Sequence, residues 1–272
     1  MVCVIIICIV LLATLSLIPI NIISYFIDSI IKNNEIDLID VANNFTAWLD
    51  HGEFTPFGFS FDVGNGCAMG IKRYESTGNP NSGGASETNN GNGSLMRIMP
   101  ACIYCATKID DDKKAVELIE SVSAITHAHK RAKMACGIYY FITKEILNTN
   151  YELFNCIQNG IDKAFAFYSK EEELSYYNRI RDVAKFMKTP VSAIKSTGYV
   201  VDTLEAAIWS LATTDSYKDA LLKAVNLGDD TDTVGAVAGG LAGLFYGVPF
   251  DWIDTLQRKE WLIKMCACAD RL

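Results

Sequence analysis

The sequence predicts an all-α protein, and three observations carry that reading. Helical patterns of apolar residues follow one another from Lys113 to Lys188 with no convincing alternating strand between them. Val234 to Gly247 is wholly apolar, with Gly235, Gly239, Gly243 and Gly247 at every fourth position, which suits a buried helix that a neighbour approaches closely. Half of the 272 residues are hydrophobic, ample for a substantial core. Neither a repeat of solenoid period nor a persuasive linker divides the chain, so one domain is expected.

From the N-terminus, Met1 to Ile27 carry no charged residue, and Met1 to Leu15 is an almost unbroken apolar run. That is long enough to cross a bilayer. No Lys or Arg precedes it, the next basic residue is Lys32, and no small-x-small cleavage site is evident, so neither a signal peptide nor a stop-transfer anchor is well made. Three readings of residues 1–23 stand open: a membrane anchor, a non-native or rearranged start, and a buried first helix. Residues 24–272 form the expected domain.

Ile36, Ile39, Val41, Ala42, Phe45, Trp48 and Leu49 have helical spacing, and Asp50-His51-Gly52 ends that helix. Thr55-Pro56-Phe57-Gly58 turns the chain, and Phe61-Asp62-Val63-Gly64-Asn65 leads into another short helix. Glu75 to Gly91 reads as a long surface loop, functional or disordered. In Asn90-Gly91-Asn92-Gly93-Ser94-Leu95-Met96-Arg97 two glycines permit close backbone approach while Asn, Ser and Arg supply donors, a loop that suits a phosphate or sugar. Gly91-x-Gly93 lacks the third glycine of a dinucleotide fingerprint.

Helices are expected at about 113–126, 130–147, 151–168 and 171–188. Thr126-His127-Ala128-His129 sits between two of them, and its histidines suit either a metal or helix-end hydrogen bonds. Thr189-Pro190 breaks the pattern, Ser196 to Glu205 opens a helix through Leu211, and Lys218 to Val225 delivers the chain to Gly228.

A net charge of −8 and a pI near 5.0 argue against general nucleic-acid binding, since counterion release needs a basic stripe. Lys130, Arg131 and Lys133 are the densest basic cluster in the sequence. Nine cysteines, odd in number and scattered, form no secreted disulfide framework, so a reducing compartment, the cytoplasm, is expected. Cys102-x-x-Cys105 and Cys266-x-Cys268 read as buried helical thiols.

The chemistry concentrates at Gly228-Asp229-Asp230-Thr231-Asp232-Thr233. One acid at a helix N-terminus is a cap, but three in four residues are too many for capping. In the turn before a helix, carboxylates at i and i+2 can project toward one point, and there they repel unless a positive charge neutralises them. Hard oxygen ligands and a threonine hydroxyl suit Mg²⁺, Mn²⁺ or Ca²⁺, with no Cys or His nearby to suggest zinc.

In their order and spacing these motifs resemble the ADP-ribosylglycohydrolase family over about residues 24–254. The resemblance implies a compact orthogonal multi-helix bundle with a site for two Mg²⁺ or Mn²⁺ ions below an ADP-ribose cleft. It assigns Asp230, Asp232 and Thr233 to the metal, and Asp230 and Asp232 to catalysis. Asn92, Gly93 and Ser94 would face ribose and phosphate, with Arg97 nearby, His127 on the far wall and Tyr199 closing another side. The implied reaction is hydrolysis of the glycosidic bond between ADP-ribose and a protein side chain or other acceptor. ADP-ribose or an ADP-ribosylated protein is the expected partner, with a membrane as a further one through residues 1–23.

One departure stands out. Where the family carries an N-terminal Thr-Asp-Asp-Thr, this chain has Leu17-Ile18-Pro19-Ile20, which cannot hold a metal. One ion or none is therefore expected, and Asp62 and Asp202 are read as exposed or capping residues. Two functions follow: a glycohydrolase, or a catalytically silent ADP-ribose-binding relative.

Overall fold

The computed structural model describes residues 27–53, 55, 58–254 and 260. The leader reading, the missing half-site at Leu17–Ile20 and the pair Cys266 and Cys268 lie outside the described residues, as do Pro56 and Phe57. Among the described residues there is no strand, and Gly84 with His127 and Gly91 with Tyr199 form isolated bridges. No helix among them is long and apolar enough to cross a membrane.

Helix α1 (Leu38–His51) starts where the Asp37 carboxylate accepts the N–H groups of Ile39 and Asp40, and it buries Val41, Ala42, Phe45 and Trp48. Burying each such large side chain is worth about 1.5–3 kcal/mol. It stops at Gly52, where φ is +60° and an added Cβ would lie 2.3 Å from the Phe59 backbone, so only glycine fits. Helix α2 (Asn65–Thr77) packs on α1.

Helix α3 (Met99–Lys108) buries Cys102 and Cys105, as expected of helical thiols. Helix α4 (Asp112–Ala124) leads to α5 (Lys130–Asn148), whose buried positions run all round its surface from Arg131 to Ile146. A helix apolar on every side belongs at the centre. Accordingly α5 packs against α3, α4 and α6 (Leu153–Phe167), and also against the two helices described next, α8 and α10. Helix α8 (Val200–Ala212), α9 (Tyr217–Val225) and α10 (Thr231–Tyr246) pack on one another, and α10 is buried from Thr233 to Gly243 as its composition predicts. The Tyr139 hydroxyl of α5 donates to the Val237 carbonyl of α10 at 2.9 Å, joining the two buried helices.

The expected helix at 171–188 is instead a 3₁₀ segment, Glu172–Ile180, followed by the one-turn helix α7 (Val183–Phe186). Tyr177 and Ile180, three residues apart, are the buried pair, and three-residue spacing is what a 3₁₀ turn aligns. Asp182 then leaves the helical region, with φ −114° and ψ 95°, so that its carboxylate caps α7. The loop after α2 is also more than a surface excursion. Gly83 donates to the Ala124 carbonyl and Gly84 accepts from the N–H groups of Ala128 and His129, which folds residues 82–93 down onto the α4–α5 junction.

Candidate functional site

Four segments converge on one cleft of about 480 Å³: the turn before α2, the loop 88–96, the α4–α5 junction, and the N-terminus of α10. Asn92, Gly93, His127, Asp230, Asp232 and Thr233 all line it. Ser94, Arg97 and Tyr199 do not. The Ser94 hydroxyl is fully buried and accepts from Ser123 at 2.9 Å. Arg97, 2% exposed, lies behind the floor, donating to the Gly93 carbonyl and to Thr126 Oγ1, with its guanidinium 4.9 Å from the centre of the Phe45 ring. Tyr199 is held at the side by Arg131, whose guanidinium donates to its hydroxyl at 3.1 Å.

The acidic wall is built by a turn that few residues could make. Gly228 has φ +90° and Asp229 φ +50°, and the Asp230 N–H then donates to the Ser196 carbonyl at 3.0 Å. Asp230 occupies the N-cap position of α10, yet its side chain makes no capping bond. Its carboxylate turns into the cleft and accepts from Asn92 Nδ2 at 2.7 Å. Capping therefore does not explain this acid. Burial raises the Asp230 carboxyl above its ordinary value, and the neighbouring Asp232 adds to the rise against the bonds from Asn92 and Thr233. Asp229 is exposed and is not among the residues that line the cleft.

Asp62 lines the same cleft from the turn before α2, with φ +50°. It is exposed, as read from the sequence, but reaching the cleft departs from that reading. Nothing in residue type or spacing distinguishes it, since only the tertiary packing of that turn brings it to the cleft. Asp202 stays out, accepting from the Thr197 hydroxyl at 2.7 Å.

The donor side is as ordered as the acidic side is repulsive. Asn92 Nδ2 also donates to Thr203 Oγ1 at 2.8 Å, and its backbone N–H to the Gly198 carbonyl at 3.1 Å. His127 is 4% exposed, and burial together with Arg97 pushes its pKa down to about 3, so the ring is neutral at physiological pH. The two histidines of the Thr-His-Ala-His stretch diverge. His129 caps α5, its Nδ1 accepting from the Arg131 N–H at 3.2 Å.

Asp230, Asp232 and Thr233 bring to one wall hard oxygen donors of the kind divalent cations take, and the neighbouring Asp232 adds to the rise of the Asp230 carboxyl, which disfavours joint ionisation. The other acid cluster, Glu87, His129 and Glu173, is already served by a cation. Arg131 lies 2.9 Å from Glu87 and 2.6 Å from Glu173. The remaining members of the densest basic cluster are neutralised too, Lys130 by Glu120 and Glu171 and Lys133 by Glu120.

Comparison with known proteins follows the same lines as this geometry. The ADP-ribosylglycohydrolase family profile matches residues 24–272. The chain belongs to the ADP-ribosylglycohydrolase family. It is 30% identical over 243 residues to the ADP-ribosylarginine hydrolase Tri1 of Pseudomonas putida, covering 88% of this chain and 61% of that protein. Over 236 residues it is 29% identical to Tri1 of Serratia proteamaculans, covering 86% and 61%. It is also 30% identical over 234 residues to the ADP-ribosyl-[dinitrogen reductase] glycohydrolase of Rhodospirillum rubrum, covering 85% and 70%. This family member thus spans about three fifths of the length of the two Tri1 relatives. A solved ADP-ribosylglycohydrolase-related protein complex has the same fold, with a TM-score of 0.74 at 23% identity over 93% of this chain and 80% of that one.

Proposed function

We propose that this chain hydrolyses the N-glycosidic bond joining ADP-ribose to an arginine side chain of a protein. One observation carries the reading: a single cleft sets the carboxylates of Asp230, Asp232 and Asp62 against the donors of Asn92 and His127 with the backbone of the 91–93 loop. A ligand with an anionic diphosphate and a hydroxyl-bearing ribose meets both sides. The likeness to the Tri1 ADP-ribosylarginine hydrolases supplies the choice of arginine over other acceptors.

In this reaction the bond from the anomeric carbon to the guanidino nitrogen breaks, a water oxygen bonds to that carbon, and the nitrogen leaves protonated. Asp230 and Asp232 would stabilise the oxocarbenium character of the transition state and take the proton from water. Asn92 would hold the Asp230 carboxylate in place. Asp230, Asp232 and Thr233 would hold Mg²⁺ or Mn²⁺, which when bound supplies Lewis-acid chemistry to water and ribose hydroxyls.

The apolar Leu17–Ile20, where relatives of this type would carry acids, favours a second reading in which the chain binds ADP-ribose without cleaving it. One experiment separates the two: calorimetric titration of the purified protein with ADP-ribose, with and without Mn²⁺, followed by release of ADP-ribose from an arginine-modified protein. Metal-dependent binding with release supports the hydrolase. Binding without release supports the silent reader, and absence of binding sinks both.

A further inference from the structure

The buried guanidinium of Arg97 has no carboxylate partner among the described residues. It is 2% exposed, its Nε has no hydrogen-bond partner, and no ion pair engages it. Burying an unpaired cation is costly, and desolvation does hold its pKa below the usual arginine value.

Its Nη2 donates to Thr126 Oγ1 at 2.7 Å, and Thr126 Oγ1 lies 2.8 Å from His127 Nδ1. Arginine can only donate, so the threonine oxygen accepts there, and its one hydrogen is left to point elsewhere. Around it stand the His127 nitrogen and the Cys67 thiol. Sulfur is the weaker acceptor, which favours donation by the hydroxyl to Nδ1 and a ring proton on Nε2. The positive charge behind the hydroxyl strengthens that donation and opposes a proton on Nδ1.

The Nε2 end faces a cradle of glycines. A Cβ added at Gly66 would lie 3.1 Å from Nε2, at Gly91 3.3 Å, and at Gly93 2.8 Å from Cε1 and 3.4 Å from Nε2. Any side chain at these positions would crowd the ring's edge, which keeps Nε2 open to the cleft. We propose that Arg97 and Thr126 are positioning residues that lock His127 as the neutral Nε2–H tautomer, so that the cleft floor presents one fixed donor to an acceptor oxygen of the ligand. The role of that donor rests on the reading of the cleft as an ADP-ribose site; the lock itself does not.

Two-bond ¹H–¹⁵N correlation spectra of the full-length protein labelled with ¹⁵N-histidine read the tautomer directly. Only three histidines are present, and His51→Gln and His129→Gln variants assign their signals. The expected wild-type spectrum at pH 7 shows Nε2 protonated and Nδ1 bare at His127, without ligand. Thr126→Val keeps the shape and removes the hydroxyl, and is expected to give mixed tautomers and about tenfold weaker ADP-ribose binding, the size of one hydrogen bond. Thr126→Ser restores both, and Arg97→Met repeats the tautomer change. A wild-type His127 protonated on Nδ1, or a Thr126→Val spectrum unchanged from wild type, overturns the lock. The lock with no ADP-ribose binding by wild type leaves the positioning standing and overturns the ligand.

Discussion

The two sides of the cleft solve opposite electrostatic problems. On the α10 side, half-buried carboxylates crowd together with only neutral hydrogen-bond donors, Asn92 and Thr233, beside them. On the floor a buried cation meets no acid among the described residues, but a carbonyl, a hydroxyl, a thiol and an aromatic face. The acidic side is thus an incomplete charge arrangement that a bound cation or ligand hydroxyls would complete. The floor is tied together by hydrogen bonds among Gly93, Arg97, Thr126 and His127, with Arg97 Nε and the cleft-lining Trp48 Nε1 left without partners. On the proposed reading, a proton taken or a cation held would be the work of the first, and recognition the work of the second.

The largest expected effect breaks the acidic side outright. Asp230→Asn combined with Asp232→Asn should abolish Mn²⁺ binding by calorimetry and lower ADP-ribose release by about 10²-fold or more, the usual share of acid–base catalysis. An unchanged metal isotherm would remove the metal from this wall. On the floor, Gly93→Ala places a methyl 2.7 Å from the Cys67 sulfur and 2.8 Å from the His127 ring. It should cost about 1–3 kcal/mol in chemical unfolding and weaken ADP-ribose binding. Gly91→Ala, with its nearest contact at 3.3 Å, should cost less, and equal effects of the two would speak against a tightly packed floor.

Asn92 is where the sides meet, one amide donating to Asp230 and Thr203. Asn92→Ala leaves two acceptors unanswered and is expected to lose about 1–2 kcal/mol. It should also raise the Asp230 carboxyl further, since the bond it removes favours the ionised form. A shift of the ascending, acid-side limb of the pH–rate profile to higher pH is the measurable sign.

How much of this was legible in the sequence follows from what each signal depends on. Helices α1, α4, α5, α6 and α9 were readable because their apolar spacing is local, and all lie within two or three residues of expectation. The segment 172–186 was not, because its 3₁₀ turns answer to partners elsewhere, such as the Tyr177 hydroxyl donating to the Arg131 carbonyl. Asp230, Asp232 and Asn92 could be singled out from residue type and spacing. Asp62 could not, because a single acid in a turn looks the same whether it faces a cleft or water. Arg97 was expected beside the ligand, and its withdrawal behind Gly93 depends on the depth of the pocket under α1, which no sequence pattern records.

The smallest expected effect tests whether the acidic side is destabilised as it stands. Burial raises the folded-state pKa of Asp230 above its unfolded value, so the fold favours the protonated acid. Its contribution to stability is full below the unfolded pKa, near 3.9, and is lost as pH rises through the raised folded value. Asp230→Asn keeps an oxygen to accept from Asn92 and removes the charge. The variant should therefore melt higher than wild type at pH 7 by about 2 °C and no higher at pH 3.5. Added Mn²⁺ should close the gap at pH 7 by stabilising wild type alone. A variant that melts lower at every pH would show instead that the carboxylate is already compensated within the protein, and the contrast between the two sides of the cleft would then have to be redrawn around a cation partner contributed by the chain itself.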